Sequence, residues 1–110
     1  MTDQRKKYLS DINSAIELIE DFVKNINSFS DYNNDIKTQS AVERQLGIIG
    51  EAVNNFEKLE EEISLVNAGK IIGFRNRLIH AYDSIDNSMV WVIIKKYLPE
   101  LKNEVYKIIE

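Results

Sequence analysis

Arg75, His80 and Tyr82 fall within the eight residues Arg75-Asn76-Arg77-Leu78-Ile79-His80-Ala81-Tyr82, and His80 is the only histidine of the chain. Imidazole moves protons near neutral pH, guanidinium grips phosphate through a planar fork of donors, and a phenol offers a modifiable hydroxyl. Their clustering makes this octapeptide the prime site candidate and points to phosphate chemistry.

The elements that must hold these groups are helical. With 44% hydrophobic and 29% charged residues, one proline and four glycines, the composition is that of a folded protein poor in the punctuation that all-β folds need. At 110 residues the chain suits one domain, spanning 1–110, with a single core. Without cysteine there is no disulfide framework, thiolate metal site or thiol nucleophile, and one histidine cannot build a multi-histidine zinc site. Neither metal nor cofactor is expected. The first seven residues lead into an amphipathic pattern, and no apolar run approaches about 18 residues, so a cytoplasmic protein without export signal or membrane span is expected.

A net charge of -4 argues against broad binding of phosphate backbones, which draws on clustered lysine and arginine. The charge is uneven, however. Glu43, Glu51, Glu57, Glu60, Glu61 and Glu62 crowd the middle of the chain, whereas residues 64–82 hold Lys70, Arg75 and Arg77 and no carboxylate. In sequence, the candidate site lies in a locally basic segment.

Apolar residues at Tyr8, Leu9, Ile12, Ala15, Ile16, Ile19, Val23 and Ile26 follow the three-and-four spacing of one buried stripe and predict a first helix from about Asp3 to Asn27. Residues 28–37, rich in Ser, Asp and Asn, read as a loop. Ala41, Val42, Leu46, Ile49, Ala52, Val53, Phe56 and Leu59 predict a second helix from Thr38 to about Glu61. Gly47 and Gly50 lie inside it, where each costs about 1 kcal/mol relative to alanine, which suggests close approach of another group. Ser64 is a candidate cap for a third helix running to about Tyr82, and Asp83, Ser84 and Asp86 form the turn before a fourth. Met89, Trp91, Val92, Ile94 and Leu98 lie on that fourth helix, with Trp91 read as core. Pro99 should break it, leaving Leu101, Val105, Ile108 and Ile109 as the stripe of the last segment. The expected architecture is an all-α, up-and-down bundle of four long helices, the last broken near Pro99.

On a regular helix, at about 100° per residue, Ile71, Phe74, Leu78 and Ala81 share one side and Asn76, His80 and Asp83 the other, while Arg75 and Tyr82, seven apart, nearly superimpose. Leu65, Ile72 and Ile79 run down the middle of the polar face, and an apolar seam among charged groups makes a poor solvent face and a good interface. Two copies meeting there would bring two His80 and two Arg75 side chains into one cleft. A symmetric partner, or a break in the helix near His80, answers a geometric difficulty, because Arg75 and His80 point about 140° apart on one helix. The plainer alternatives are a histidine that interacts with helix-terminal carbonyls and an ordinary surface pair of Arg75 with Asp83.

Read as R-N-x-x-x-H-x-Y, residues 75–82 resemble the hallmark of the HepT-like branch of HEPN ribonuclease toxins. Upstream, residues 41–52 are similar to the A-V-x-R-x-L-x-x-I-G-E-A helix of that family, and downstream Val90-Trp91 and Leu98-Pro99-Glu100-Leu101 resemble its V-W and L-P-x-L segments. The order and spacing of these motifs extend the resemblance over nearly the whole chain. It implies an all-helical, HEPN-like homodimer acting as a metal-independent endoribonuclease on RNA such as tRNA or mRNA. It also implies the toxin of a type VII-like toxin–antitoxin pair, associated with a minimal nucleotidyltransferase antitoxin in a complex that can be a larger hetero-oligomer. By the same resemblance, Arg75 and His80 match the catalytic R-x4-H pair, Asn76 is a polar helper, Glu51 has a supporting role, and Tyr82 matches the tyrosine to which the antitoxin transfers AMP.

Two departures stand out. The turn before the third helix reads Leu65-Val66-Asn67 where family members often carry tryptophan, and Ala81 stands where glycine is frequent between the histidine and the tyrosine. Neither touches Arg75, His80 or Tyr82. The rival readings are a non-catalytic helical subunit that binds nucleotide or substrate for a nucleotidyltransferase, and a plain dimeric helical adaptor.

Overall fold

A computed structural model of the protein describes residues 1–59 and 62–109, so the expected end of the second helix near Glu61 lies outside the described residues. Its helices are α1 (Asp3–Val23), α2 (Phe29–Asn33), α3 (Ile36–Leu59), α4 (Ala68–His80), α5 (Asn87–Val92) and α6 (Leu98–Ile109), with a 3-10 turn at Tyr82–Ser84 and a π-helical turn at Ile93–Tyr97. No strand occurs among the described residues. The α5–α6 run forms the fourth long element of an all-α bundle. The longest contact is α1 along α3; α4 packs on the other flank of α3, α6 on α1, and α2 on α3 and α5. No helix among the described residues is long and apolar enough to cross a membrane.

The stripes read from period are the core. Leu9, Ile12, Ile16 and Ile19 of α1 close against Val42, Ile49, Val53 and Phe56 of α3, with Leu98, Leu101 and Val105 of α6 completing the contact. Each such side chain contributes about 1.5–3 kcal/mol by leaving water. Trp91 is only half-buried: its ring lies 5.6 Å from that of the fully buried Tyr32, and Lys95 Nζ sits 4.7 Å from its ring centroid.

The expected loop at residues 28–37 is a correction. The same Ser and Asp residues that compete with the backbone in loops here satisfy helix starts instead. Ser28 Oγ accepts from Asp31 N at 3.1 Å and opens α2, while Asp35 accepts from Thr38 N at 3.0 Å and from Thr38 Oγ at 2.6 Å and opens α3. These bonds hold the Asp35 carboxyl below its usual range, as the bonds from Ser88 do for Asp86 at the start of α5. Stability from both caps is therefore present above the ordinary aspartate value and fades as pH falls through the lowered one.

One further boundary differs from expectation. Ser64 does not cap α4; its hydroxyl donates to Glu57 Oε1 at 2.8 Å, and the same oxygen accepts from Leu65 N at 3.2 Å. The connection is held from a second side by Glu104, which accepts from Val66 N at 2.9 Å, and the helix begins only at Ala68. The last helix is interrupted near Pro99 as expected, by a π turn that ends the regular α-helix at Val92 and resumes it at Leu98. A regular helix would set the proline ring against the carbonyl of Lys95. The chain widens ahead of it instead: Leu98 N–H reaches back five residues to Ile93 O, and the π turn carries the helical path into α6.

Gly50 is buried where α3 crosses α4, and a Cβ there would overlap Arg75 Cβ and come 2.7 Å from its Cγ. Gly47, one turn earlier, meets nothing within 4 Å. Gly50→Ala is expected to lower unfolding stability by about 1–3 kcal/mol despite the helix-propensity gain, and Gly47→Ala to raise it by up to about 1 kcal/mol. Urea titration of both variants checks this, and equal effects at the two positions would refute the crossing.

Candidate active site

The Gly50 contact decides where Arg75 goes. Its aliphatic stem lies flat on the α3 backbone, and its head emerges beside the next residue, Glu51. Arg75 Nη2 pairs with Glu51 Oε2, and Arg75 Nη1 donates to Asn76 Oδ1 at 3.1 Å. The Arg75 side chain is 24% exposed and that of Glu51 50%. The guanidinium is thus held by two partners, while Nε makes no hydrogen bond among the described residues. Three of the residues expected at the site, Arg75, Asn76 and Glu51, stand together.

His80 stands apart from them. It is the last residue of α4, exposed, and its imidazole has no hydrogen bond among the described residues. Because α4 stays α-helical from Ala68 to His80, the five-residue separation amounts to about 7.5 Å of rise and 140° of rotation. A helix break that would swing His80 toward Arg75 does not occur before His80. Within one chain the two side chains leave different faces of the same helix.

Tyr82 corrects the expected superposition on Arg75. The α-helix ends at His80, and Tyr82 begins the 3-10 turn, where Ala81 N–H still bonds Arg77 O. The phenol therefore turns to α3 further from the crossing and donates to Glu43 Oε1 at 2.5 Å. Glu43 and Glu51 are eight residues apart on α3, about 12 Å along its axis. Tyr82 remains 57% exposed, and the hydrogen bond to Glu43, reinforced by the carboxylate charge, pushes its pKa above the ordinary phenol value. With Ser40, Arg44 and Leu78, these two residues line an open concavity of about 300 Å³.

Arg77 fastens the turn that carries Tyr82. Its Nε donates to Ser84 Oγ at 3.1 Å, Nη2 to Ser84 O at 2.7 Å, and Nη1 to Met89 Sδ at 3.3 Å. It is a positioning residue that the sequence reading counted only as charge. Glu43 was likewise seen only as one member of an acidic run. The signal available for it was that Glu43 and Glu51 both sit on the helix whose motif accompanies the octapeptide.

The expected seam is also reduced. Leu65 precedes α4 and is 2% exposed, built into the core, so it cannot share a surface with Ile79. Ile72 is half-buried against the core, and Ile79 is 54% exposed. The basic character of residues 64–82 is reduced in space, because Glu43 and Glu51 approach it from α3. Among the described residues no group of three His, Cys, Asp or Glu side chains could hold a metal ion. A larger apolar concavity of about 370 Å³ is lined by Phe74 and Arg77 of α4 together with Met89, Tyr97 and Leu101.

Three comparisons bear on this arrangement. The family model described as "Ribonuclease HepT-like" matches residues 12–108. The chain is 42% identical over 112 aligned positions to a protein of Thermococcus cleftensis named "Probable ribonuclease HepT", with 98% of each chain covered. It is 38% identical to a "Putative RNase" of Caldanaerobacter subterraneus subsp. tengcongensis, covering 96% of this chain and 94% of that one, and 35% identical to a "Putative RNase" of Methanocaldococcus jannaschii, covering 96% and 87%. No solved structure matches the chain. A match across residues 12–108, with relatives at these identities over nearly full lengths, shows that the chain belongs to the ribonuclease HepT-like family.

Proposed function

We propose that the protein is a metal-independent endoribonuclease in which Arg75 and His80 act on the RNA phosphate, and that it serves as the toxin partner of a minimal nucleotidyltransferase. The observation that carries the reading is the Arg75 guanidinium, pressed against Gly50 and held by Glu51 and Asn76 with donors to spare. A cation fixed in this way suits the charge that builds on phosphorus.

In the reaction, His80 takes the proton of a ribose 2′-hydroxyl as that oxygen attacks the adjacent phosphorus. The bond to the 5′-oxygen breaks, that oxygen acquires a proton, and the upstream fragment ends in a 2′,3′-cyclic phosphate. Arg75 holds the non-bridging oxygens, Glu51 orients the guanidinium, and Asn76 completes its hydrogen bonding. DNA lacks the attacking hydroxyl and is not cut. Because the two side chains diverge on α4, the working site is composed across a homodimer whose seam includes Ile72 and the exposed Ile79. Two His80 and two Arg75 side chains then face one cleft, and one imidazole accepts a proton while the other returns one to the leaving oxygen.

Control is by AMP transfer to Tyr82. The hydroxyl lies on an exposed side chain two residues beyond His80. An AMP group there adds bulk and negative charge at the edge of the RNA path, excluding the substrate by crowding and like-charge repulsion rather than by occupying Arg75 directly.

Wild-type protein is expected to cut RNA in EDTA and leave cyclic phosphate ends, with His80→Ala and Arg75→Ala each reducing the rate by about a hundredfold or more. Both variants should keep wild-type helicity and sediment, like the wild type, as dimers at micromolar concentration. Retained cleavage in both variants, or cleavage of DNA at the same rate, sinks the catalytic assignment; a monomer that cleaves at full rate sinks the composite site. Co-expression with an adjacent nucleotidyltransferase should add AMP to the intact mass of the wild type but not of Tyr82→Phe. A mass gain that survives in Tyr82→Phe would move the acceptor elsewhere and leave the nuclease reading standing.

A further inference from the structure

Transfer of a nucleotidyl group to a phenol needs three things at the acceptor: a base for the phenolic proton, a cation beside the phosphorus, and room for the incoming group. All three are present on α3 beside Tyr82. Glu43 Oε1 already accepts the Tyr82 hydroxyl hydrogen bond at 2.5 Å, and Glu43 has no other hydrogen bond or ion pair among the described residues. Arg44, the next residue, is exposed and likewise engages no carboxylate among the described residues. The concavity of about 300 Å³ that these residues line with Ser40 and Leu78 opens to solvent beside the hydroxyl.

We propose that Glu43 and Arg44 are the acceptor-side machinery for nucleotidyl transfer onto Tyr82, with Glu43 as the base and Arg44 as the holder of the α-phosphate of a nucleoside triphosphate. The proposal rests on the reading of Tyr82 as the AMP acceptor and adds to it the residues of this chain that make the transfer possible. The phenolic oxygen bonds to the α-phosphorus while its proton passes to Glu43 Oε1. The bond from the α-phosphorus to the oxygen bridging to the β-phosphate breaks, and pyrophosphate leaves with the electron pair. The product is a phosphodiester carrying one negative charge. Beside Glu43 that charge would be repelled, and Arg44 offsets it.

The direction of the Tyr82 pKa fits this division of labour. The bond to Glu43 keeps the proton on the phenol in the resting protein, so the hydroxyl is not a standing nucleophile and must be relieved of its proton during attack. Beside His80 and Asp83, which flank Tyr82 in sequence, the titratable groups coupled electrostatically to this corner are Tyr32 of α2 and Asp35 ahead of α3. Tyr32 is fully buried with its hydroxyl unpartnered among the described residues; burial first, then the charges of Glu43 and the neighbouring groups, pushes its pKa well up, so it does not compete as a base. Asp35 is occupied by Thr38. Glu43 is the carboxylate in contact with the reacting oxygen.

The test uses the full-length chain, the adjacent-gene nucleotidyltransferase and magnesium ATP, and reads the initial rate of AMP addition by intact mass. Glu43→Gln preserves shape and can still accept the phenol hydrogen bond, so circular dichroism should not change. Its transfer rate should fall by about a hundredfold at neutral pH and recover as pH rises toward the phenol range, whereas Glu43→Asp keeps part of the neutral rate. Arg44→Ala should fall by about tenfold or more, with partial rescue in Arg44→Lys. Wild-type rates in Glu43→Gln, or an unchanged pH profile, overturn the proposal while leaving Tyr82 as the acceptor. A wild-type chain that gains no AMP from the active nucleotidyltransferase overturns the Tyr82 reading itself and this proposal with it.

Discussion

The contact of Gly50 with Arg75 is the constraint on which the site depends. A side chain at position 50 would push α4 off α3; its absence lets the arginine stem lie on the helix backbone and leave the long core contact of α1 with α3 undisturbed. The helix register then does the rest. Residue 51 is next to the emerging guanidinium, and residue 43, about two turns away, meets the turn that follows α4. Two glutamates on one helix thereby engage two side chains of a segment, residues 64–82, that holds no carboxylate of its own.

The energetic worth of the Arg75–Glu51 pair is small, since a half-exposed ion pair contributes about 1 kcal/mol or less after side-chain ordering and screening. Its value is directional. The arginine stem loses its rotamer freedom to packing and its head to two hydrogen-bonding partners during folding, so that loss does not recur when phosphate arrives. A phosphate that takes the remaining donors needs only to share the guanidinium with Glu51. A lysine could not divide its point charge between carboxylate and phosphate in this planar way.

Period and motif made the long helices and their buried stripes legible, because a buried face repeats every three or four residues whatever it packs against. They could not reveal which charges meet. Residues 64–82 look basic along the chain, yet Glu43 and Glu51 come from a different helix, and only the crossing at Gly50 brings them into reach. The polar run at 28–37 failed as a loop signal for a related reason: Ser28 and Asp35 serve equally as loop formers and caps, and the burial of Tyr32 tips the choice to helix. Leu65 fitted the seven-residue seam only on the premise that α4 begins by Leu65. With Glu57 and Glu104 holding the backbone of the connection, the helix starts later and the leucine turns into the core.

The same helix boundary at His80 shapes the chemistry. Had α4 continued through Tyr82, the phenol would have stood over Arg75. Ending at His80 sends Tyr82 to Glu43 and leaves Arg75 with Glu51, so the two side chains meet α3 at separate places. An acidic chain whose fixed guanidinium is already partly neutralised by Glu51 is poorly built to attract nucleic acid through net charge. What it can supply is placement: a fixed guanidinium on one helix face and an exposed imidazole on another, which a twofold partner can bring to one phosphate.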